Sequence, residues 1–207
     1  MTMPSDIDAE LSRLFDLAIV ANREGRYADA ETAVLRILSD LPNAADPNAL
    51  LGSIGIATGR LKLAEDAILK CLEVSPDHLI ALNNLGRLRR RQDNLSEAVT
   101  MFRRASKLSP GNVEVRRNLL DTLCAKGAWS DAVKLADSMA RRGTNDTQTL
   151  LISAKAYQGS GRISDAIRSA KSVYELSGEA TGLAVLANAY AVSVSYTHLT
   201  LPTICSV

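Results

Sequence analysis

LIALNNLGRLRRRQDNLSEAVTMFRRASKLSPGN, residues 79–112, holds two apolar-periodic runs on either side of a short polar break. Leu82, Leu85 and Gly86 in the first run, and Ala98, Phe102 and Ala105 in the second, recur at helical spacing. The stretch therefore reads as two amphipathic helices, the second stopped by Pro110, because proline lacks the amide and clashes with the turn before it. Its 34 places then repeat along the chain. With Leu11 as the first place, units fall at 11–44, 45–78, 79–112, 113–146 and 147–179, behind a lead-in at 1–10. Self-similarity at such a period marks a stacked repeat rather than a single globular core.

Alanine sets the phase. Ala30, Ala64, Ala98, Ala132 and Ala166 share one place, although only about one residue in seven is alanine. Five residues earlier stand Gly25, Gly59, Asp93, Gly127 and Gly161, where a helix has to end in a left-handed residue before the chain reverses. Two residues on come Tyr27, Leu61, Leu95, Trp129 and Ile163, apolar groups placed to pack back on the helix before. Asp29, Glu97, Asp131 and Asp165 supply negative charge to the first turn of the second helix, where the dipole favours it; Leu63 is the exception. Pro42, Pro76 and Pro110 close the first three units, and Thr144 and Gly178 stand there in the last two. Small residues at Ala18, Gly52, Gly86 and Ala154 allow close helix crossing, with Leu120 departing from the pattern.

This pattern resembles the tetratricopeptide repeat, a helix-turn-helix of 34 residues, over residues 11–193. The resemblance implies an all-α fold, a right-handed superhelix of helical hairpins whose concave face is lined by the first helix of each pair and holds peptides or extended protein segments. A sixth unit begins near Ala180, and TGLAVLANAYAVS, Thr181 to Ser193, aligns with its first helix, the unit being incomplete.

The last fourteen residues, VSYTHLTLPTICSV at 194–207, break the pattern. VSYTHLTLPT is the translation of GTC TCT TAT ACA CAT CTG ACG CTG CCG ACG, which resembles the transposon-end adapter of sequencing libraries. The expectation is a non-native tail on a gene fragment, with native text ending at Ser193.

Composition narrows the function classes. Forty-six per cent of residues are apolar and 4% aromatic, which favours close-packed helices over a β-sandwich. The start, MTMPSDIDAELSR, lacks a secretory signal, and no run approaches the roughly 18 apolar residues of a membrane span, so a cytoplasmic protein without membrane contacts is expected. Cys71, Cys124 and Cys205 have no C-x-x-C spacing and His78 and His198 are far apart, so no metal or cofactor is expected. Cys71 and Cys124 read as small buried apolar groups. No phosphate loop, paired carboxylates or Ser-His-Asp set stands out, so no catalytic residue is assigned.

The formal charge of +1 hides a block structure: residues 1–78 carry 7 basic and 13 acidic side chains, residues 79–142 carry 13 and 6. Arg87, Arg90 and Arg91 share one helix face, which suggests a positive groove for an acidic segment or a C-terminal carboxylate. The alternative is a solvated face pairing with the acidic units before it. By periodicity the groove-lining places are Asn83, Asn84, Arg87, Arg90 and Arg91 in the third unit, and Arg117, Asn118 and Asp121 in the fourth. Asn84 and Asn118 resemble two rungs of the asparagine ladder with which the repeat domain of O-linked N-acetylglucosamine transferase holds a peptide backbone; Asp16, Leu50 and Ile152 interrupt it. The family's carboxylate clamp is not matched, since Phe15, Ile19, Ala49 and Ser53 stand where it carries its first Lys and Asn.

The function expected is a protein-interaction scaffold that binds a protein or peptide, and an acidic one on the arginine reading, without catalysis of its own. The alternative is the recruiting front end of a bacterial glycosyltransferase or sulfotransferase whose catalytic domain lies past the break. Nucleic acid is not an expected partner, because base-stacking aromatics are nearly absent from the groove places.

Overall fold

The computed structural model describes residues 4–177 and residue 187. The incomplete sixth unit at 180–193 and the tail at 194–207 therefore lie outside the described residues, apart from helical Ala187. Among the described residues there are ten helices and no strand: α1 (Pro4–Arg23), α2 (Tyr27–Asp40), α3 (Ala45–Ala57), α4 (Leu61–Val74), α5 (Leu79–Arg91), α6 (Leu95–Leu108), α7 (Val113–Ala125), α8 (Trp129–Arg141), α9 (Thr147–Gly159) and α10 (Ile163–Ser177). From α3 onward, each first helix starts 34 residues after the last, at 45, 79, 113 and 147, and the second helices keep the same interval. Helix α1 is longer, reaching back into the segment assigned to a lead-in. No helix among the described residues is long and apolar enough to cross a membrane.

The turns follow from backbone sterics. Gly25, Gly59, Gly127 and Gly161 take φ between 73° and 79°, in the left-handed region. Asp93 does the same at φ 60°, with a Cβ that glycine would spare it. Because three-residue turns join α1 to α2, α3 to α4 and α5 to α6, each pair lies antiparallel. Helices α2, α4 and α6 stop two residues before Pro42, Pro76 and Pro110. At the end of α8, with no proline there, Gly143 turns the chain at φ 76°.

Close packing makes the hairpins. The five phase-setting alanines are all essentially inaccessible, none above 1% exposed. A Cβ added to Gly55 would lie 2.9 Å from that of Ala64, so the backbones of α3 and α4 are nearly in contact. Gly86 is small because the Phe102 ring fills the place a side chain would take, 2.6 Å from an added Cβ. Gly52 yields in the same way to Ile68.

The chain divides into two compact units, one up to Val115 and one from Arg116. In the first, Ala18, Ala30, Val34 and Ile54 form one apolar cluster. Ile56, Ala64, Ile68, Cys71, Leu85 and Leu88 form a second, and Leu82, Ala105 and Val115 a third. In the second unit, Trp129 opens α8 and lies against Gly159 of α9, where an added Cβ would be 2.4 Å from its ring. Cys71 and Cys124 are free and buried, and burial pushes both thiols up to about 11, so neither is an ionised nucleophile at neutral pH.

Candidate functional site

The first unit contains a groove of about 490 Å³, within the range of ligand pockets. It is bounded by α1, α3, α5 and the start of α7, the first helices of successive hairpins. Phe15 and Ile19 of α1, Leu50 of α3, and Leu79 and Ile80 of α5 give it apolar walls, and Ile80 is 53% exposed. The clamp places found in the sequence, Phe15, Ile19, Ala49 and Ser53, all line it, so three apolar side chains and a hydroxyl replace a clamp's cationic and amide groups.

Three of the candidate residues stand in this lining: Asn83, Asn84 and Arg87. Asn84 is buried. Its Nδ2 donates to Ser53 Oγ at 2.7 Å and to the Ala49 carbonyl at 3.4 Å, which ties α5 to α3, and its Oδ1 accepts from Arg87 Nη1 at 3.4 Å. Asn83 Nδ2 donates to Glu114 Oε1 at 3.3 Å. Both amides thus brace the groove floor. A partner's backbone would have to compete with these bonds, each worth about 1 kcal/mol net.

Arg90 and Arg91 are exposed at the end of α5 but are not in the groove lining, and Arg91 donates to the Ile56 carbonyl. Arg117 and Asn118 belong to the second unit. Arg117 is occupied there, bonding Asp146 Oδ1 at 3.0 Å, Gln148 Oε1 at 2.8 Å and Thr149 Oγ1 at 3.3 Å. Burial alone would raise the Asp146 carboxyl, but bonds from Thr149 and the Arg117 charge hold it below its ordinary value. The groove is therefore not lined by a block of arginines. Its charged lining is Arg23 and Arg87 against Asp46 and Glu114.

Sequence periodicity missed the two acids. Each is the second residue of its helix, α3 or α7, a place that reads as dipole compensation. It also missed His78, the N-cap of α5, whose Nδ1 accepts from the Ala81 amide at 3.2 Å while its Nε2 faces Asp46 Oδ1 at 2.8 Å.

A larger cavity, about 580 Å³, lies in the second unit among α8, α9 and α10. Tyr157, Asp137, Arg162 and Asp165 in its lining are bonded to one another. Tyr157 donates to Asp137 at 2.8 Å, and Arg162 lies over the Tyr157 ring at 4.8 Å while bonding Asp137 at 2.8 Å and Asp165 at 2.7 Å. Burial and the Asp137 carboxylate push the Tyr157 hydroxyl up to about 12. The smaller groove combines an apolar wall with the candidate residues Asn83, Asn84 and Arg87, and is the candidate site.

Two family models, each described as tetratricopeptide repeat, match residues 15–78 and 89–156. The chain belongs to the tetratricopeptide repeat family. Among curated proteins none matches. Solved structures with this repeat fold include one titled as the functional characterization of Pseudomonas aeruginosa pilF, at 20% identity and TM-score 0.77, covering 95% of each chain. Another is the MamA protein, at 18% identity and TM-score 0.66, covering 80% of this chain and 90% of that one. A third is YrrB, titled a TPR protein with an unusual peptide-binding site, at 14% identity and TM-score 0.67, covering 82% of this chain and 87% of that one. At these identities the likeness to tetratricopeptide structures establishes the fold. The family match supports protein partners.

Proposed function

We propose that the chain acts by binding, and that an extended segment of a partner protein lies in the groove of the first unit. The observation that carries this reading is the apolar wall of Leu50, Leu79 and Ile80, open beside the amides of Asn83 and Asn84. Burying exposed apolar surface of this kind contributes about 25 cal/mol per Å², so a few well-seated side chains give micromolar affinity once association costs are met. YrrB, a TPR protein with an unusual peptide-binding site on the same fold, supports the reading.

The test uses peptides selected from a random library on the full chain. Ile80→Asp places a charge on the groove wall at a half-exposed position and leaves the core untouched. Leu35→Asp does the same on α2, outside the groove lining. Binding is expected to be lost in the first variant and kept in the second. Equal binding to both would refute the groove as the site.

A further inference from the structure

We propose that the groove of the first unit selects segments by an order of charge: a cationic residue at one edge, an apolar residue over Leu50 and Ile80, and an anionic residue at the other edge. This rests on the peptide-binding reading above and specifies its partner.

Helices α1, α3 and α5 run the same way, because each is followed by an antiparallel partner and a short reversal. Asp46 and Glu114, second residues of α3 and α7, therefore mark one edge of the groove. Arg87, the ninth residue of α5, and Arg23, the last of α1, lie toward the other.

What distinguishes Glu114 and Arg87 is that neutral amides hold them. Glu114 accepts from the Asn83 amide. Asp46 Oδ1 lies 2.8 Å from His78 Nε2, on the ring whose Nδ1 accepts from the Ala81 amide at the α5 cap. Arg87 donates to the Asn84 amide oxygen. In the cavity of the second unit, by contrast, Arg162 is paired with both Asp137 and Asp165. A helix start offsets only about half a unit charge, so each acid leaves its edge negative.

Seven helical rises separate the acid level from Arg87 and eleven separate it from Arg23, about 10 to 16 Å. That exceeds the Debye length of about 8 Å at physiological salt, so the two edges act separately. A wholly acidic segment would be attracted at one edge and repelled at the other. In an extended chain the span corresponds to about three to five residues between the two charges.

The experiment is selection from a random peptide library on the full chain, keeping binders that Ile80→Asp abolishes. The expected binders carry Lys or Arg and Asp or Glu three to five residues apart, in one order, with an apolar residue between. Asp46→Lys with Glu114→Lys should weaken them about tenfold, or 1.4 kcal/mol, and changing the peptide's cation to Glu should restore most of that. Asp46→Asn with Glu114→Gln keeps the helix starts intact and should weaken them about threefold. Groove binders that are only acidic, or indifferent to both pairs of variants, would overturn the charge order and leave the groove standing. A library with no Ile80-dependent binder would remove the peptide-binding reading, and the charge order with it.

Discussion

At the residue scale the fold depends on side chains that are missing. Gly86→Ala brings a methyl group within 2.6 Å of the Phe102 ring, and Phe102 is fully buried, so the ring cannot swing out. Two effects compete. Alanine is the better helix former by about 0.8 to 1 kcal/mol, while overpacking a filled core costs about 1 to 3 kcal/mol. The clash should win, lowering stability in urea by about 1 kcal/mol, and Phe102→Leu in the same chain should recover part of the loss in a double-mutant cycle. Ala98→Leu has no helix-propensity gain to offset it and should cost about 1 to 3 kcal/mol, read from the same titration. These residues were legible in the sequence because steric exclusion leaves the same small residue at the same place in several units. The groove amides were only half legible. Periodicity places Asn84 on the right helix, but its bond to Ser53 spans 31 residues, and no local pattern announces it.

At the element scale, turns and caps set the helix limits. Asp93 is the one non-glycine residue at positive φ among the described residues. A left-handed residue with a Cβ costs about 1 to 2 kcal/mol, and glycine returns about 0.5 to 1 kcal/mol of that as unfolded-chain entropy. Asp93→Gly should therefore raise stability by about 0.5 to 1 kcal/mol, seen as a higher melting temperature. Asp146 caps α9, accepting from the Thr149 amide at 3.0 Å and the Thr149 hydroxyl at 2.7 Å. Asp146→Ala should cost about 1 kcal/mol, and Asp146→Asn, which keeps an acceptor, less. Since folding lowers the Asp146 pKa, its charge stabilises the protein above the ordinary carboxylate range and stops doing so as pH falls through the lowered value. The urea midpoints of the native chain and Asp146→Asn should accordingly begin to converge below about pH 4 and meet once the pH is below the lowered value. A gap that does not narrow at all through the acid range would show that the carboxylate charge does not matter there. Pro42, Pro76 and Pro110 gave the helix ends away in advance. Asp146 is a local cap through Thr149, but its second partner, Arg117, comes from another helix 29 residues away and left no mark in the local pattern.

At the scale of the whole molecule, a repeat protein's stability is approximately a sum over units and their neighbours. Gly86→Ala should thus speed amide exchange in α3 to α6 more than in α9 and α10. The repeat architecture was readable from one 34-residue stretch, since every unit obeys the same steric rule. The division at Val115 and Arg116 was not, because the alanine and glycine places run through it unchanged. The basic block at 79–142 did not by itself locate the groove's charged lining, because side-chain counts along the chain do not say which arginines face inward. Arg89, for example, is held at 14% exposure between Glu65 at 2.6 Å and Glu97 at 2.9 Å. The claim that the first unit's groove receives a partner segment is tested most directly by amide chemical-shift mapping of the labelled chain during titration with a selected peptide. Shifts should concentrate at Leu50, Ser53, Leu79 and Asn83. Shifts confined to α2 and α4, or to α8 through α10, would contradict it.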